Sequence, residues 1–293
     1  MKKILLSGLL LAMFLSGFAM AQDSGQPKTL VPSALFIELW NNAAFFDTNL
    51  ENKNFSSSLA RFEGKVGLNV GSAPLQVYGV YYGVGSQSND YWDNSLFSGY
   101  GLRVMPLRDF PATNWANEWL PGVKLFAEKL SASYLKNAAS AETLAKEDTR
   151  YGLEIWHEWN QEKPDRQKPW GELWSTVSYR ETNFGWEEFK DYVVYFQPKI
   201  GIYLADGIAP YLRADVTYSG KSGASYSFLN VADYGVGVRF EPWRSRTSEV
   251  EFFHKFRMFT EVLGVTYLKD KPAAAISEVA HDVRFGIEFS YGR

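Results

Sequence analysis

Apolar and polar residues alternate along this chain in twelve runs separated by turn residues. The runs lie near residues 34 to 45, 57 to 70, 74 to 85, 97 to 107, 122 to 136, 149 to 160, 170 to 182, 191 to 204, 208 to 220, 230 to 241, 256 to 269 and 281 to 292. A period of two places one residue set on each face of an extended segment, so each run predicts a β-strand. Several are the roughly 9–11 residues that a tilted strand needs to cross hydrocarbon, or a little longer. Sustained helical spacing is absent from comparable stretches.

The clearest runs have a face that water would not select. Phe62, Val66, Leu68 and Val70 oppose Arg61, Glu63, Lys65 and Asn69; Leu212, Ala214, Val216 and Tyr218 oppose Tyr211, Arg213, Asp215 and Thr217. At the C-terminus Val283, Phe285, Ile287, Phe289 and Tyr291 alternate with Asp282, Arg284, Gly286, Glu288 and Ser290. A soluble sandwich would also alternate. The even strand number, the strand lengths and the aromatic ends of the apolar faces favour lipid outside and a polar lumen inside. The expected fold class is therefore all-β: an antiparallel transmembrane β-barrel of twelve strands, within a range of roughly 10–14. The last strand is expected to close against the first near "ALFIELW".

The N-terminus supports an exported chain. Lys2 and Lys3 precede the apolar stretch "ILLSGLLLAMFLSGF", and Ala19-Met20-Ala21 is a small-residue cleavage site, the order of a secretory signal. Residues 1–21 are read as signal peptide, 22–33 as an N-terminal periplasmic segment and 34–293 as the barrel, in a bacterial outer membrane. The chain has no cysteine, which excludes disulfides, thiolate metal sites and a lipid-modified cysteine. Removal of Lys2 and Lys3 takes the formal charge from −3 to −5, giving no basic footprint for nucleic acid. Aromatics matter more: 10 Trp, 17 Tyr and 21 Phe make up 16% of the chain, as interfacial girdles and sugar-stacking surfaces both require.

With both termini in the periplasm, the external loops would be "DTNLENKNF", "SQSNDYWDNS", "NAASAETLAKED", "NFGWEEFKD", "SGKSGASYSF" and "DKPAAAISEVA". The connections "RDFPATNWANEWLPG" and "PWRSRTSEVEFFHK" are long for periplasmic turns. They imply either inverted topology or amphipathic elements at the inner rim.

Two blocks echo each other, one starting at Tyr100 and the other at Tyr234. Each has a Tyr-Gly strand with an inward arginine (Arg103, Arg239) and a proline-marked turn (Pro106, Pro242). A strand then follows with Phe126 or Phe259, Glu128 or Glu261, and Tyr134 or Tyr267. A duplicated strand-turn-strand unit accounts for the echo as shared architecture. Together with "RYGLEIWHEWN" and "GELWSTVSYRETNFGW", this order resembles the C-terminal barrel of bacteriophage adsorption protein A and related exopolysaccharide-export outer-membrane proteins. The resemblance covers about residues 97–292 and includes no catalytic signature. It implies a barrel that works with a periplasmic export scaffold supplied by a partner, since the family's N-terminal superhelical repeats have no counterpart here.

Residues opposite the apolar sets are candidates for the lumen. They form a charge network of Arg61, Glu63, Lys65, Arg103, Arg150, Glu154, Glu158, Glu172, Arg180, Lys199, Arg213, Asp215, Asp233, Arg239, Glu241, Asp282, Arg284 and Glu288. The signs nearly cancel, which argues against a strongly ion-selective pore. Cross-strand ion pairs filling a narrow barrel explain the network; a polar sleeve for an uncharged or weakly charged chain is the functional reading. Trp40, Trp156, Trp174, Tyr195, Tyr203 and Tyr211 interleave with these charges as an aromatic track on which sugar rings could stack. Simple alternation puts Glu128 and Glu261 on the lipid side, which a bulge or a headgroup position would relieve.

Catalytic chemistry finds little support. His157, His254 and His281 are the only imidazoles, and none stands at a fixed spacing from a serine motif or at metal-ligand spacing from another. No cofactor, metal or enzymatic activity is expected. The expected partners are outer-membrane lipid, the barrel-assembly machinery, a polysaccharide chain and its export scaffold. A general small-solute channel is the first alternative. A plugged barrel whose loops serve adhesion or phage attachment is the second.

Overall fold

The computed structural model describes residues 35–49, 55–87, 94–111, 118–136, 147–161, 166–184, 188–244, 255–269 and 279–292. The expected signal peptide and N-terminal segment, and His254, lie outside the described residues. Twelve strands are present: β1 (Leu35–Thr48), β2 (Phe55–Asn69), β3 (Leu75–Ser86), β4 (Ser95–Val104), β5 (Val123–Tyr134), β6 (Glu147–Trp159), β7 (Trp170–Thr182), β8 (Phe189–Gly201), β9 (Ile208–Ser219), β10 (Val231–Phe240), β11 (Phe256–Tyr267) and β12 (Val279–Tyr291). Each strand pairs antiparallel with its sequence neighbours, and β12 closes against β1 from Leu39↔Tyr291 to Thr48↔Asp282. Each predicted run is one strand, with ends shifted by a few residues.

Closure follows from the solvent. A spanning sheet has no water to satisfy its backbone, so it must remove its edges. Alternation then sorts the side chains. On β2, Lys65 is 5% exposed whereas Leu68 is 50% exposed; on β12, Asp282, Arg284 and Glu288 are buried whereas Phe285 and Ile287 are exposed. The polar set is the hidden set, and the open apolar surface is far more than a water-soluble monomer displays. Phe45 and Phe285 stack on the outside of the closing seam with centroids 5.1 Å apart. Tyr151, Tyr179 and Tyr192 form a chain of ring contacts on adjacent strands near the β5–β6 end, at 5.2 and 5.3 Å. His157 also faces outward, stacked on Trp159 at 5.8 Å.

Glu128 and Glu261 correct the sequence reading. Both are buried in the lumen, at 4% and 1% exposure, with Phe126, Leu130 and Phe259, Leu263 on the same inward face. No bulge is involved, because the β4–β5, β5–β6 and β10–β11 registers run unbroken. The apolar residues beside them suggested a lipid face; they instead line the barrel wall from inside. A charge at mid-depth on the lipid side would have cost a few kcal/mol.

The internal echo extends to the whole barrel. Anchoring it on Arg103 and Arg239 makes Gly101 equivalent to Gly237, so the two Tyr-Gly dipeptides that first reveal the echo are themselves offset by two residues. All six seams of one half then match the other. Glu38↔Lys65 corresponds to Glu172↔Lys199, and Gly67↔Tyr78 to Gly201↔Tyr211. Tyr78↔Gly101 corresponds to Tyr211↔Gly237, and Arg103↔Phe126 to Arg239↔Phe259. Lys124↔Glu154 corresponds to Arg257↔Glu288, and Gly152↔Ser178 to Gly286↔Ala44. The seam that closes the barrel is thus the repeat of the seam in its middle, and β1–β6 and β7–β12 are equivalent half-barrels.

The glycines in this repeat give the rings room. A Cβ on Gly101 would lie 2.7 Å from Tyr78 Cζ, and one on Gly237 2.5 Å from Tyr211 Cζ. Each tyrosine lies across its glycine and donates its hydroxyl to the glutamate one strand further on, Tyr78 to Glu128 at 3.0 Å and Tyr211 to Glu261 at 2.6 Å. Gly237→Ala is expected to lower stability by about 1–3 kcal/mol through overpacking. Gly79→Ala, whose Cβ would meet nothing closer than 3.9 Å, is expected to stay within about 0.5 kcal/mol. Urea unfolding of the micelle-refolded protein, followed by gel heat-modifiability, measures both.

Candidate lumen binding site

Inward-facing charges pair across strands in two related lattices. In the first half Arg103 donates to Glu38 at 2.5 and 2.7 Å. Lys124 lies 3.6 Å from Glu38 and 3.4 Å from Glu154. Lys65 sits among Glu63, Glu128 and Glu154 at 3.6–3.7 Å. In the second half Glu172 receives Arg239, Arg257 at 2.8 Å and Lys199 at 3.3 Å. Arg257 and Lys199 also approach Glu288, at 3.3 and 3.6 Å.

Further along the strands, toward the β5–β6 end, Asp148 accepts from Arg150 and Arg180, both at 2.7 Å. Its counterpart Asp282 accepts from Arg284 at 2.6 Å, and Arg284 reaches Asp233 at 2.8 Å. Arg213 bridges Asp215 at 2.5 Å and Glu261 at 2.7 Å. Glu158 faces Arg257 at 3.5 Å, and Glu241 forms an ion pair with Arg239 at 2.8 Å. Bringing this many charges inside is tolerable because nearly all of them are paired.

The proposed aromatic track divides in two. Trp40, Trp156, Trp174 and Tyr195 line a cavity of about 250 Å³, with Trp174 and Tyr195 stacked at 5.9 Å. Tyr203 and Tyr211 do not belong to it. Each is only 5% exposed, packed with Trp170 and Ala209 at the β8–β9 end. Arg239 lies 3.8 Å above the Trp170 ring, and Tyr203 takes hydrogen bonds from Arg239 and Arg244. Rings held in this way cannot receive a sugar face.

Sequence alternation missed several members of the site. Glu38, Lys124, Asp148 and Arg257 belong to the lattices, Trp170 to the buried cluster, and Asn42, Phe46, Gln197 and Phe259 to the cavity wall. Parity was a usable signal for Glu38, Asn42, Phe46, Asp148, Trp170 and Gln197, each on the same face as a residue that was picked, whereas Lys124, Arg257 and Phe259 lie on β5 and β11, where alternation had turned this face toward lipid. Gln161, from the β6–β7 connection, had no such signal: its side chain crosses to Arg257 at 2.7 Å. His281 is exposed at the start of β12. No group of three acidic or histidine side chains suited to a metal occurs among the described residues.

An apolar exterior around a paired polar lumen in a closed antiparallel sheet is the architecture of bacterial outer-membrane barrels. This chain is an outer-membrane β-barrel. No family model and no curated protein matches its sequence. Among solved structures it is similar to the NanC porin (7% identity, TM-score 0.40, covering 86% of this chain and 98% of that one). It is also similar to an outer membrane channel from Pseudomonas putida F1 (10% identity, TM-score 0.38, covering 92% and 100%). A third is the β domain of the Bordetella autotransporter BrkA (11% identity, TM-score 0.37, covering 89% and 100%).

The lattice centres predict unequal costs of truncation. Glu261→Ala takes one of two carboxylate partners from buried Arg213, leaves the Tyr211 hydroxyl without its acceptor and is expected to cost up to about 3–5 kcal/mol. Glu128→Ala should behave alike, whereas Glu181→Ala, on an exposed lysine pair, should cost at most about 1 kcal/mol. Urea midpoints of the three variants provide the comparison.

Proposed function

We propose that the barrel is a non-enzymatic conduit for a sugar chain, serving export or surface display of an exopolysaccharide. The observation that supports this is the cavity wall. Trp156, Trp174 and Tyr195 on adjacent strands β6–β8, together with Trp40 on β1, offer ring faces beside the amides Asn42 and Gln197. Sugars are recognised by this mixture, because their C–H faces stack on aromatic rings while hydroxyls need donors and acceptors in plane. Lumen charges that mostly neutralise one another suit a chain that must slide rather than an ion that must be held. The resemblance to exopolysaccharide-export barrels points the same way. On this reading the barrel meets a periplasmic export scaffold at one rim and reaches the membrane through the barrel-assembly machinery.

Single-channel conductance of the refolded mature protein in planar bilayers tests this. Neutral oligosaccharides on one side are expected to produce stepwise current blockade. Removal of Trp156 and Trp174 together should shorten the blockades about tenfold or more, from losing roughly 1–3 kcal/mol of ring contact, without affecting heat-modifiability. A folded barrel that conducts without sugar blockade would be a general solute channel. One that does not conduct would be a plugged scaffold, with function in its loops.

A further inference from the structure

The half-barrel repeat separates residues that build the lumen from residues free to do something else. Much of the scaffold recurs in both halves: the Arg103–Glu38 and Arg239–Glu172 pairs, the Lys65 and Lys199 bridges, and the tyrosine–glutamate bonds. Arg180 and Arg213, whose counterparts are Phe46 and Val80, are paired without a repeat. At the cavity the equivalence breaks. Register makes Arg61 the counterpart of Tyr195, Glu63 of Gln197 and Trp156 of Ser290.

Arg61 is set apart in a second way. Arg103, Arg150, Arg180, Arg213, Arg239, Arg257 and Arg284 each lie within ion-pair distance of a carboxylate. Among the described lumen arginines, Arg61 makes neither an ion pair nor a hydrogen bond. Its one contact of note is a ring, Phe46, at 5.7 Å. It is exposed to the cavity, opposite Asn42 in the β1–β2 register and two residues from Glu63, which Trp40 faces. The other charges on the cavity wall are already engaged: Glu63 by Lys65, Glu172 and Glu288 by Lys199 and Arg257, Arg213 and Arg284 by aspartates. What remains is one planar cation with no carboxylate at ion-pair distance, beside aromatic rings and two amides.

We propose that Arg61 is the specificity residue of this cavity and that the sugar it selects bears a carboxylate, as a uronic acid does. The guanidinium presents parallel N–H donors that match a carboxylate, while Trp40, Trp156, Trp174 and Tyr195 supply faces for the ring. The inference rests on the sugar-conduit reading and narrows its substrate from sugars in general to acidic ones. A bare anion would use the arginine and leave the rings idle; a neutral sugar would do the reverse.

The test uses cellobiouronic acid and cellobiose, which differ by one carboxylate, titrated against the full-length refolded barrel. Tryptophan fluorescence reads the cavity directly. The acid is expected to bind at least tenfold more tightly than cellobiose, with sodium acetate at equal concentration competing poorly. Arg61→Gln should bring the two sugars to equal affinity without weakening cellobiose, and Arg61→Lys should keep only part of the preference. Equal affinities in the unaltered protein, a preference that survives Arg61→Gln, or full competition by acetate would each overturn the proposal. Cellobiose bound as well as the acid would leave the conduit reading in place while removing the acidic one. Binding of neither sugar would remove both.

Discussion

A β-sheet that spans hydrocarbon must satisfy every backbone amide within itself, and everything else in this protein follows from that demand. With no water to solvate an edge, β12 has to find β1, and twelve strands close on themselves. Closure creates two environments from one alternating pattern. Outward positions are set by lipid, and Leu212, Val236 and Phe285 are more than half exposed as a result. Inward positions enclose a narrow interior that must be filled by side chains able to satisfy one another.

The interior is filled with paired charge together with apolar clusters such as Val80, Phe97 and Leu130. Buried ion pairs contribute little net stability when compared with apolar packing, but they are costly to leave half-made. Such an interior specifies its register strongly, since a slip of one residue would turn each lattice toward lipid. The tyrosine hydroxyls on Glu128 and Glu261, and the glycines beneath their rings, tie each lattice to the strand ladder. Repetition of this device in both halves means that one local solution, used twice, accounts for most of the lumen.

Against that duplicated scaffold the cavity stands out because it lacks symmetry. Trp40 and Trp174 recur, but Trp156 and Arg61 have no like counterpart. Stability alone would be served equally by the repeated residues. Arg61, Glu63 and Trp156 stand with Trp174 and Tyr195 on the cavity wall, which is where a passing chain would meet the barrel.

Strand number, strand faces and inside-out polarity were legible from the sequence, because a period of two in a closed sheet leaves only two environments to choose between. Lys65, Arg213 and Arg284 could be assigned to the lumen from their neighbours on either side. Glu128 and Glu261 could not, since Phe126, Leu130, Phe259 and Leu263 share their face and local hydrophobicity pointed the wrong way. Partnership was also beyond reach: Arg103 meets Glu38 from 65 positions away and Arg257 meets Glu172 from 85. Tyr203 and Tyr211 look like Trp174 in sequence, and only packing against Trp170 removes them from the open wall. Alternation is a property of each strand alone, so the sequence determined which residues share a face and, where that face is clearly polar, that it turns inward. What lies opposite depends on closure and register together, so the tertiary structure alone decided which charges are paired and which arginine is left free.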